Sequence, residues 1–129
     1  HHKGIQILIK ELNQVYKAQP ALFKQDFVYQ GFEWIDCHDV EQSVISYRRK
    51  GDDQELIVVL NFTPVVRENY RIGVPEAGTY HEVFNSDSSL YDGSNVANGA
   101  VVSEPIPWMH QANSINLTLP PLAGIILKI

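Results

Sequence analysis

Four consecutive residues, Asp36 to Asp39, have side chains of the types used in thiol catalysis and in metal binding. They lie in the segment GFEWIDCHDVE, which is typical of a short β-strand that ends in an acidic turn. Successive side chains of a strand point to opposite faces, so Cys37 and His38 are expected to diverge rather than to pair as nucleophile and base. We therefore expect a half-buried structural cysteine, because free cysteine usually behaves as a small hydrophobe. An enzyme that depends on Cys37 is the less favoured alternative.

Candidate metal and phosphate ligands do not have the spacing of a known site. A structural zinc site needs spaced pairs such as C-x-x-C or H-x-x-x-H, and the sequence has neither. The polar segment SDSSLYDGSNVANG starts like a calcium loop at Asp87, but Tyr91 and Asp92 stand where an EF-hand has an oxygen ligand and a glycine. We predict no catalytic residue, no metal ligand and no cofactor, and we interpret this segment as a loop shaped by Asp, Gly and Asn.

Three aromatic side chains remain as candidates for ligand binding, namely Trp34, Trp108 and Tyr91. A flat apolar ring suits the face of a sugar ring, and Trp and Tyr also carry a polar group. Most aromatic residues of a domain this size belong to its core, and no motif distinguishes these three. We therefore treat them as weak candidates for sugar contacts.

Length and composition indicate one globular domain. The chain has 129 residues, 44% of them hydrophobic and 19% charged. A net charge of -5 argues against a nucleic-acid partner, and the short run Arg48, Arg49 and Lys50 is interpreted as a solvated hairpin tip. No apolar run approaches the ~20 residues that span a membrane. The single cysteine fits a reducing compartment, so we expect a cytoplasmic location. Because the chain begins at His1 rather than at Met, we expect a piece of a longer protein.

The first segment has the pattern of an amphipathic helix. The apolar residues of its predicted face are Ile5, Leu8, Ile9, Leu12 and Tyr16. Pro20 cannot continue the hydrogen-bond ladder and should end the helix. A single amphipathic helix needs a surface to cover its apolar face, and this one is expected to pack on a neighbouring domain. Residues 1–29 are accordingly interpreted as helix and linker.

Everything after residue 30 has the pattern of β-strands. In ELIVVLNF, apolar residues occupy both the even-numbered and the odd-numbered positions, which is typical of a strand covered on both faces. YRIGV and TYHEVF flank the turn PEAG and are predicted to form a hairpin. The other strand patterns are FEWIDC, SVISYRRK, SINLTLP and LAGIILKI. The regular alternation of about seven or eight strands with turns predicts a mainly β fold, an antiparallel β-sandwich over residues 30–129 preceded by one helix.

The same residues carry a resemblance to a known family. GFEWIDCHDVEQSVISYRRKG, VVLNFTPVVRENYRIGVPEAGTYHEVFNSDSSLYDGSNVANG and LTLPPLAGIILKI resemble the C-terminal region of the bacterial 1,4-α-glucan (glycogen) branching enzymes of the α-amylase superfamily. The segment HHKGIQILIKELNQVYKAQPAL resembles the last helix of that family's catalytic TIM barrel. The likeness extends over nearly the whole chain, with several motifs in consecutive order.

The resemblance implies a parent enzyme that transfers an α-1,4-glucan segment to a 6-hydroxyl, forming an α-1,6 branch in glycogen biosynthesis by a retaining mechanism. The family's catalytic carboxylates lie on the barrel, and none of their motifs occurs here, so no catalytic residue is assigned. The implied role of this part is structural and catalytically silent, with the barrel of the same parent chain as its partner and α-glucan as the parent enzyme's ligand. A stand-alone carbohydrate-binding module is the alternative, and it would use Trp34, Trp108 or Tyr91 as glucan contacts.

Overall fold

The N-terminal segment forms the predicted helix. In a computed structural model, which describes residues 2–25, 29–39, 41–51 and 54–129, helix α1 spans Lys3–Ala18. Gln19 caps it in an extended conformation, and Pro20 begins a short 3₁₀ segment, as expected where proline ends the α-helical ladder. Among the described helices, none is long and apolar enough to cross a membrane.

The described residues form eight strands, in agreement with the predicted number of about seven or eight. They are β1 Phe32–Asp39, β2 Val44–Gly51, β3 Gln54–Asn61, β4 Arg67–Val74, β5 Thr79–Asn85, β6 Ala100–Val102, β7 Asn113–Leu119 and β8 Ala123–Lys128. Only the three-residue β6 was not anticipated, because its alternation is too short to stand out from the polar loop before it. Residues 52 and 53 of the predicted turn between β2 and β3 lie outside the described residues.

The strands form two antiparallel sheets. The large sheet has the order β1-β2-β3-β8-β5-β6, and the small sheet consists of β4 and β7. The predicted hairpin across PEAG is wrong, because β4 pairs with β7 while β5 pairs with β6 and β8. The turn therefore carries the chain from one sheet to the other. Local turn residues show where the chain reverses, but the choice of pairing partner depends on contacts distant in sequence.

The predicted β-sandwich is confirmed, with its main core between the two sheets. The inner face of the large sheet contributes Ile57 and Val59 of β3 and Leu127 of β8. The alternating residues of SINLTLP face them as predicted, and they are Ile115, Leu117 and Leu119, each at most 1% exposed. Burial on this scale is the principal source of stability in a domain of this size.

A second, smaller cluster lies on the outer face of the large sheet. Leu56 and Val58 of β3 and Ile126 of β8 are buried there against Ala21 of the 3₁₀ segment, with Val15 of α1 packed beside them. The prediction that β3 is covered on both faces is therefore confirmed. The backbone N–H of Ala21 donates to Gln54 Oε1 at 2.9 Å, so the segment after α1 is fixed to the sheet by a polar contact as well.

The predicted solvated tip at Arg48, Arg49 and Lys50 is wrong, because all three belong to strand β2. The Arg48 side chain is only 13% exposed and lies between the carboxylates of Glu33, at 2.9 Å, and Glu55. Lys50 Nζ is 2.7 Å from Glu33. Cross-strand pairing with acidic neighbours keeps Arg48 and Lys50 inside the sheet, and Arg49 donates to the Leu22 carbonyl at 3.0 Å instead. A run of positive charge in the sequence does not reveal these contacts.

Candidate functional site

Cys37 and His38 lie at an irregular end of β1. Register shifts between Trp34 and Asp36 and again between Asp36 and Asp39 break the regular alternation of side chains. The predicted divergence is therefore wrong, since Cys37 Sγ lies 3.8 Å from His38 Nε2. The predicted half-burial is wrong too, because Cys37 is exposed.

The polar neighbours of this pair face other groups. One Asp36 oxygen accepts the backbone N–H of His38 at 3.0 Å, and the Asp39 carboxylate accepts the hydroxyl of Tyr70. The latter contact helps to raise the pKa of Tyr70, after the larger contribution of burial. A catalytic thiol site requires a histidine oriented by a third group, and here both carboxylates contact something other than the imidazole. Among the described residues, no three His, Cys, Asp or Glu side chains converge as metal ligands would.

Helix α1 presents most of its predicted apolar face to the outside. Leu8 is partly covered, whereas the stripe formed by Ile5, Ile9, Leu12 and Tyr16 is exposed, with Ile9 51% accessible. The side turned to the domain carries instead Gly4, Leu8, Glu11 and Val15, which recur at the helical period. We call the exposed set the α1 stripe. Exposed apolar residues that are contiguous in this way mark interaction surfaces.

An apolar groove continues the α1 stripe along the outer face of the large sheet. It has a volume of about 520 Å³, and Leu12 and Tyr16 form part of its wall. The sheet contributes most of the remaining lining residues, which include Tyr47, Val58, Leu60, Phe84 and Ile126. The stripe on α1 and the groove beside it thus form one continuous apolar surface, because Leu12 and Tyr16 belong to both.

Tyr91 holds α1 against the loop between β5 and β6. Its hydroxyl donates to Glu11 of α1, and its ring stacks on Phe84 with the centroids 6.0 Å apart. Burial, the hydrogen bond to Glu11 and the charge of Glu11 raise the pKa of Tyr91 to about 12. Gly4 makes the close approach possible, because a Cβ there would lie 2.8 Å from the Tyr91 carbonyl oxygen. The sequence did not indicate this tether, since Glu11 and Tyr91 are far apart along the chain.

The loop itself is organised by Asp87, as the turn-forming interpretation predicted. This carboxylate is buried, at 7% exposure, and accepts the backbone N–H groups of Ser94 at 3.0 Å and Val96 at 2.9 Å. It also accepts the hydroxyl of Ser94. A carboxylate that accepts several backbone donors in this way stabilises the loop conformation.

Trp34 lies in an aromatic cluster on β1 and β2. Its ring makes edge contacts with Phe32 at 5.0 Å and with Tyr47 at 5.9 Å between centroids. The residue is 49% exposed, and Tyr47 links the cluster to the groove. Trp34 therefore borders the apolar outer face of the large sheet.

Trp108 lies at a different place, in a turn before β7 that packs on the small sheet. The backbones of Trp108 and Gln111 form an isolated bridge around Met109 and His110, both of which have positive φ. Beside the turn is a cavity of about 320 Å³. We call it the Trp108 pocket, and its lining is Asp39, Gln42, Glu68, Asn69, Tyr70, Arg71, Trp108 and Met109. Of the three aromatic candidates, Trp34 and Tyr91 thus adjoin the groove through Tyr47 and Phe84, whereas Trp108 lines a different pocket with several polar side chains.

Comparison with known proteins identifies the type of domain. Residues 34–129 match the family described as the alpha amylase C-terminal all-beta domain. Three relatives described as 1,4-alpha-glucan branching enzyme GlgB show the extent of the similarity. Those of Cellvibrio japonicus, Methylococcus capsulatus and Nitrosomonas eutropha are 54%, 57% and 58% identical over 99%, 98% and 98% of this chain. The resemblance predicted from the sequence is confirmed by these matches.

The relatives are much longer than this chain, which spans 17–18% of their length. Solved structures agree on the architecture. An alpha-amylase from H. orenii superposes with a TM-score of 0.51 at 18% identity, covering 92% of this chain and 19% of that one. An inactive double mutant of MUTB gives 0.56 at 21% identity, covering 93% and 17%. At these identities the structures support the fold alone, and together with the family match they show that the chain belongs to the alpha amylase C-terminal all-beta domains.

Proposed function

We propose that this chain is the C-terminal all-β domain of a 1,4-α-glucan branching enzyme of glycogen biosynthesis and is catalytically silent on its own. The observation that carries the proposal is the identity of 54–58% over nearly the whole chain to proteins of that description. The parent enzyme would act on α-glucan, with its catalytic carboxylates in the part that these residues do not include. A cytoplasmic location remains a prediction.

We further propose that the α1 stripe and the groove dock onto the catalytic part of the same parent chain. The relatives are more than five times as long as this segment. The rest of a parent chain of that length would offer ample surface for the stripe and the groove to pack on. The stripe and groove are apolar and contiguous, as is usual where two domains of one protein pack permanently. Residues 1–29 would then belong to the interface and residues 30–129 to the accessory domain.

A chimera tests both statements. The matching segment of the Nitrosomonas eutropha relative is replaced by residues 1–129, and branching is followed by the loss of iodine staining of amylose. We expect the chimera to branch amylose and the 129-residue chain alone to have no activity. Branching by the isolated chain, or an inactive chimera that is folded, would contradict the proposed function.

The docking surface is tested in the same chimera by two substitutions on one helix. Ile9→Asp places a carboxylate in the α1 stripe, whereas Gln14→Asp makes the same change of charge at an exposed position on another side of α1. We expect Ile9→Asp to lower the thermal midpoint and the activity of the chimera, and Gln14→Asp to leave both nearly unchanged. In the isolated chain both variants should unfold like the parent. Equal effects of the two substitutions in the chimera would rule out docking through the stripe.

A further inference from the structure

The Trp108 pocket combines an exposed aromatic ring with a rigid frame. Trp108 is 47% exposed, and its turn is closed by two backbone hydrogen bonds to Gln111, of 3.1 and 2.9 Å. The turn rests directly on β4, because a Cβ at Gly73 would lie 2.1 Å from the Trp108 carbonyl oxygen. Only glycine permits this approach, so the sequence of β4 is matched to the position of the tryptophan.

The backbone around the pocket has left-handed residues at several points. Met109 and His110 have φ values of 50° and 63°, a region that residues other than glycine seldom adopt and that is least common for an unbranched apolar residue such as Met109. Asn69, at the register shift of β4, has a φ of 53°. Strained residues that cluster around one cavity are a feature of binding sites, where the conformation places side chains for a ligand.

The polar side chains of the pocket divide into fixed and available groups. Asp39 is held by Tyr70, and Arg71 is held by Ser114 Oγ at 2.7 Å and by Glu104 at 3.1 Å. In the described part of the chain, the Glu68 carboxylate, the side-chain amides of Gln42 and Asn69 and the Trp108 indole N–H have no partner. These groups offer both donors and acceptors beside one aromatic ring.

The chemistry of the pocket suits a neutral polyhydroxyl compound. The lining contains two carboxylates, of Asp39 and Glu68, and a single guanidinium that is already paired with Glu104, so the pocket does not favour a phosphate or another anion. Its volume of about 320 Å³ is at the lower end of the ~300–1,000 Å³ range of small-ligand sites. Hydroxyl groups of a sugar would match the free amides and carboxylate, while the sugar face would stack on the indole ring.

We propose that the Trp108 pocket binds a segment of α-1,4-glucan, with Trp108 stacking on one sugar ring and Glu68 and Asn69 bonding its hydroxyls. The choice of glucan rests on the proposed function, whereas the position and polyhydroxyl chemistry of the site rest on the structure. The pocket shares no lining residue with the α1 stripe or the groove, because it lies between β4, the Trp108 turn and the end of β1. We therefore expect it to stay accessible when the outer face of the large sheet is covered.

The chain contains two tryptophans, which makes the site easy to locate by NMR. The two indole N–H signals are assigned with Trp34→Phe and Trp108→Phe, and the 129-residue chain is titrated with maltohexaose and with cellohexaose. We expect a saturable shift of the Trp108 signal with maltohexaose and a weaker response to cellohexaose. No shift, a shift confined to Trp34, or equal responses to the two sugars would overturn the proposal.

Two further variants test individual contacts. Trp108→Ala should weaken maltohexaose binding about tenfold. Asn69→Gly removes the amide while glycine tolerates the positive φ, so binding should weaken severalfold with the thermal midpoint maintained. Unchanged affinity in a folded Trp108→Ala variant would overturn the proposal. Since these measurements need no catalysis, a chimera that fails to branch with binding intact contradicts only the proposed function, and an active chimera without binding contradicts only the pocket.

Discussion

The two faces of the large sheet differ in how completely they are covered. The inner face meets the small sheet, and the core between them contains residues such as Val59 and Leu127 with almost no exposure. In the described part of the chain, the outer face is covered by α1, by the 3₁₀ segment and by Tyr91 on Phe84, and a groove of about 520 Å³ remains beside Leu60. Neighbouring residues of one strand therefore have different surroundings. On β3, Val59 points into the closed core between the sheets, and Leu60 points into the open groove.

This difference indicates which part of the domain sustains its own fold. A β-sandwich gains its stability from the face that the chain itself closes. The outer face buries a smaller cluster of its own around Leu56, but its groove and the α1 stripe keep apolar side chains that only another surface would cover. We therefore assign folding to the inner face and docking to the outer face, and the predictions below test that assignment.

Truncation of one leucine on each face should give the largest contrast. Leu127→Ala removes a fully buried side chain from the inner core and should lower the free energy of unfolding by about 3 kcal/mol. Leu60→Ala acts in the wall of the open groove and should cost about 1 kcal/mol or less, because water already reaches the site. Urea denaturation of both variants measures the difference. Equal losses would show that the outer face is as much a core as the inner one.

Asn61 should have the next largest effect, because it closes the end of the inner core where the chain leaves β3. It is buried, and its amide donates to the carbonyls of Val65 and Pro120 at 2.9 Å each, while its oxygen accepts the backbone N–H of Thr63. Asn61→Ala leaves these groups unsatisfied and should cost about 2 kcal/mol.

The control for Asn61 is a second asparagine in a strand. Asn116 of β7 lies on the exposed side of the small sheet, so Asn116→Ala should change stability by less than about 0.5 kcal/mol. Chemical denaturation applies to both variants. A loss at Asn116 that matches the loss at Asn61 would contradict a specific closing role.

The sequence predicted most of the fold because the relevant signals are local. Alternation in SINLTLP identified the inner residues of β7, and Pro20 marked the end of α1. Pairing was predicted less well, because the partner of β4 depends on packing between segments that are distant along the chain. The Cys37–His38 contact was missed for a related reason, since bulges in β1 have no clear signature in the sequence.

The candidate site was less predictable than the fold. The sequence indicated Trp108 as a candidate but not the other residues of its pocket. Glu68 and Asn69 belong to β4, and only the folding of the Trp108 turn onto that strand brings them to the same pocket. The α1 stripe agrees better with the apolar face predicted for the helix, and only Leu8 of that face is turned to the domain. Residues that share a surface without sharing a segment cannot be grouped by periodicity alone.

Alkaline pH should affect the inner face through Tyr80. Burial, and then the charges of Glu76 and Glu55, raise the pKa of Tyr80 to about 12 from its ordinary value of 10.0. Since the folded-state pKa lies above the unfolded one, this contribution is complete below pH 10.0 and is lost as the pH rises to about 12. Tyr80→Phe should cost about 1 kcal/mol below that range through loss of the bond to the Glu76 carbonyl, and its cost should shrink within the range.

Tyr91→Phe serves as the outer-face comparison for Tyr80. The pKa of Tyr91 is raised to about 12 as well, by burial and by Glu11. Its ionisation, however, needs only the separation of α1 from the loop, so the global unfolding free energy should depend on pH almost as in the parent protein. Urea unfolding on both sides of pH 10.0 tests the pair. A larger alkaline effect at Tyr91 than at Tyr80 would mean that α1 contributes more to folding than the inner face does.

The smallest effect is expected at the polar end of the inner face. Glu33 pairs with Lys50 at 2.7 Å and with Arg48 at 2.9 Å, and the hydrogen bond from Lys50 is the main cause that lowers the pKa of Glu33 below its ordinary 4.5. The stability that this pair provides is present above pH 4.5 and is lost as the pH falls through the folded-state pKa. Because the Glu33 side chain is 42% exposed, Glu33→Gln should cost only about 0.5 kcal/mol near neutral pH, and less in high salt.

Glu68→Gln is a suitable control for Glu33→Gln, since Glu68 lies on β4 without an ion-pair partner in the described part of the chain and should show neither the cost nor the salt dependence. A salt-independent loss above about 1 kcal/mol at Glu33 would indicate that the ion pairs, rather than apolar burial, sustain this end of the inner face. In that case the two faces would differ in the charge of their side chains as well as in how far they are covered. At the corresponding end of the outer face the contact is aromatic, since the rings of Tyr47 and Phe32 stack with their centroids 4.9 Å apart.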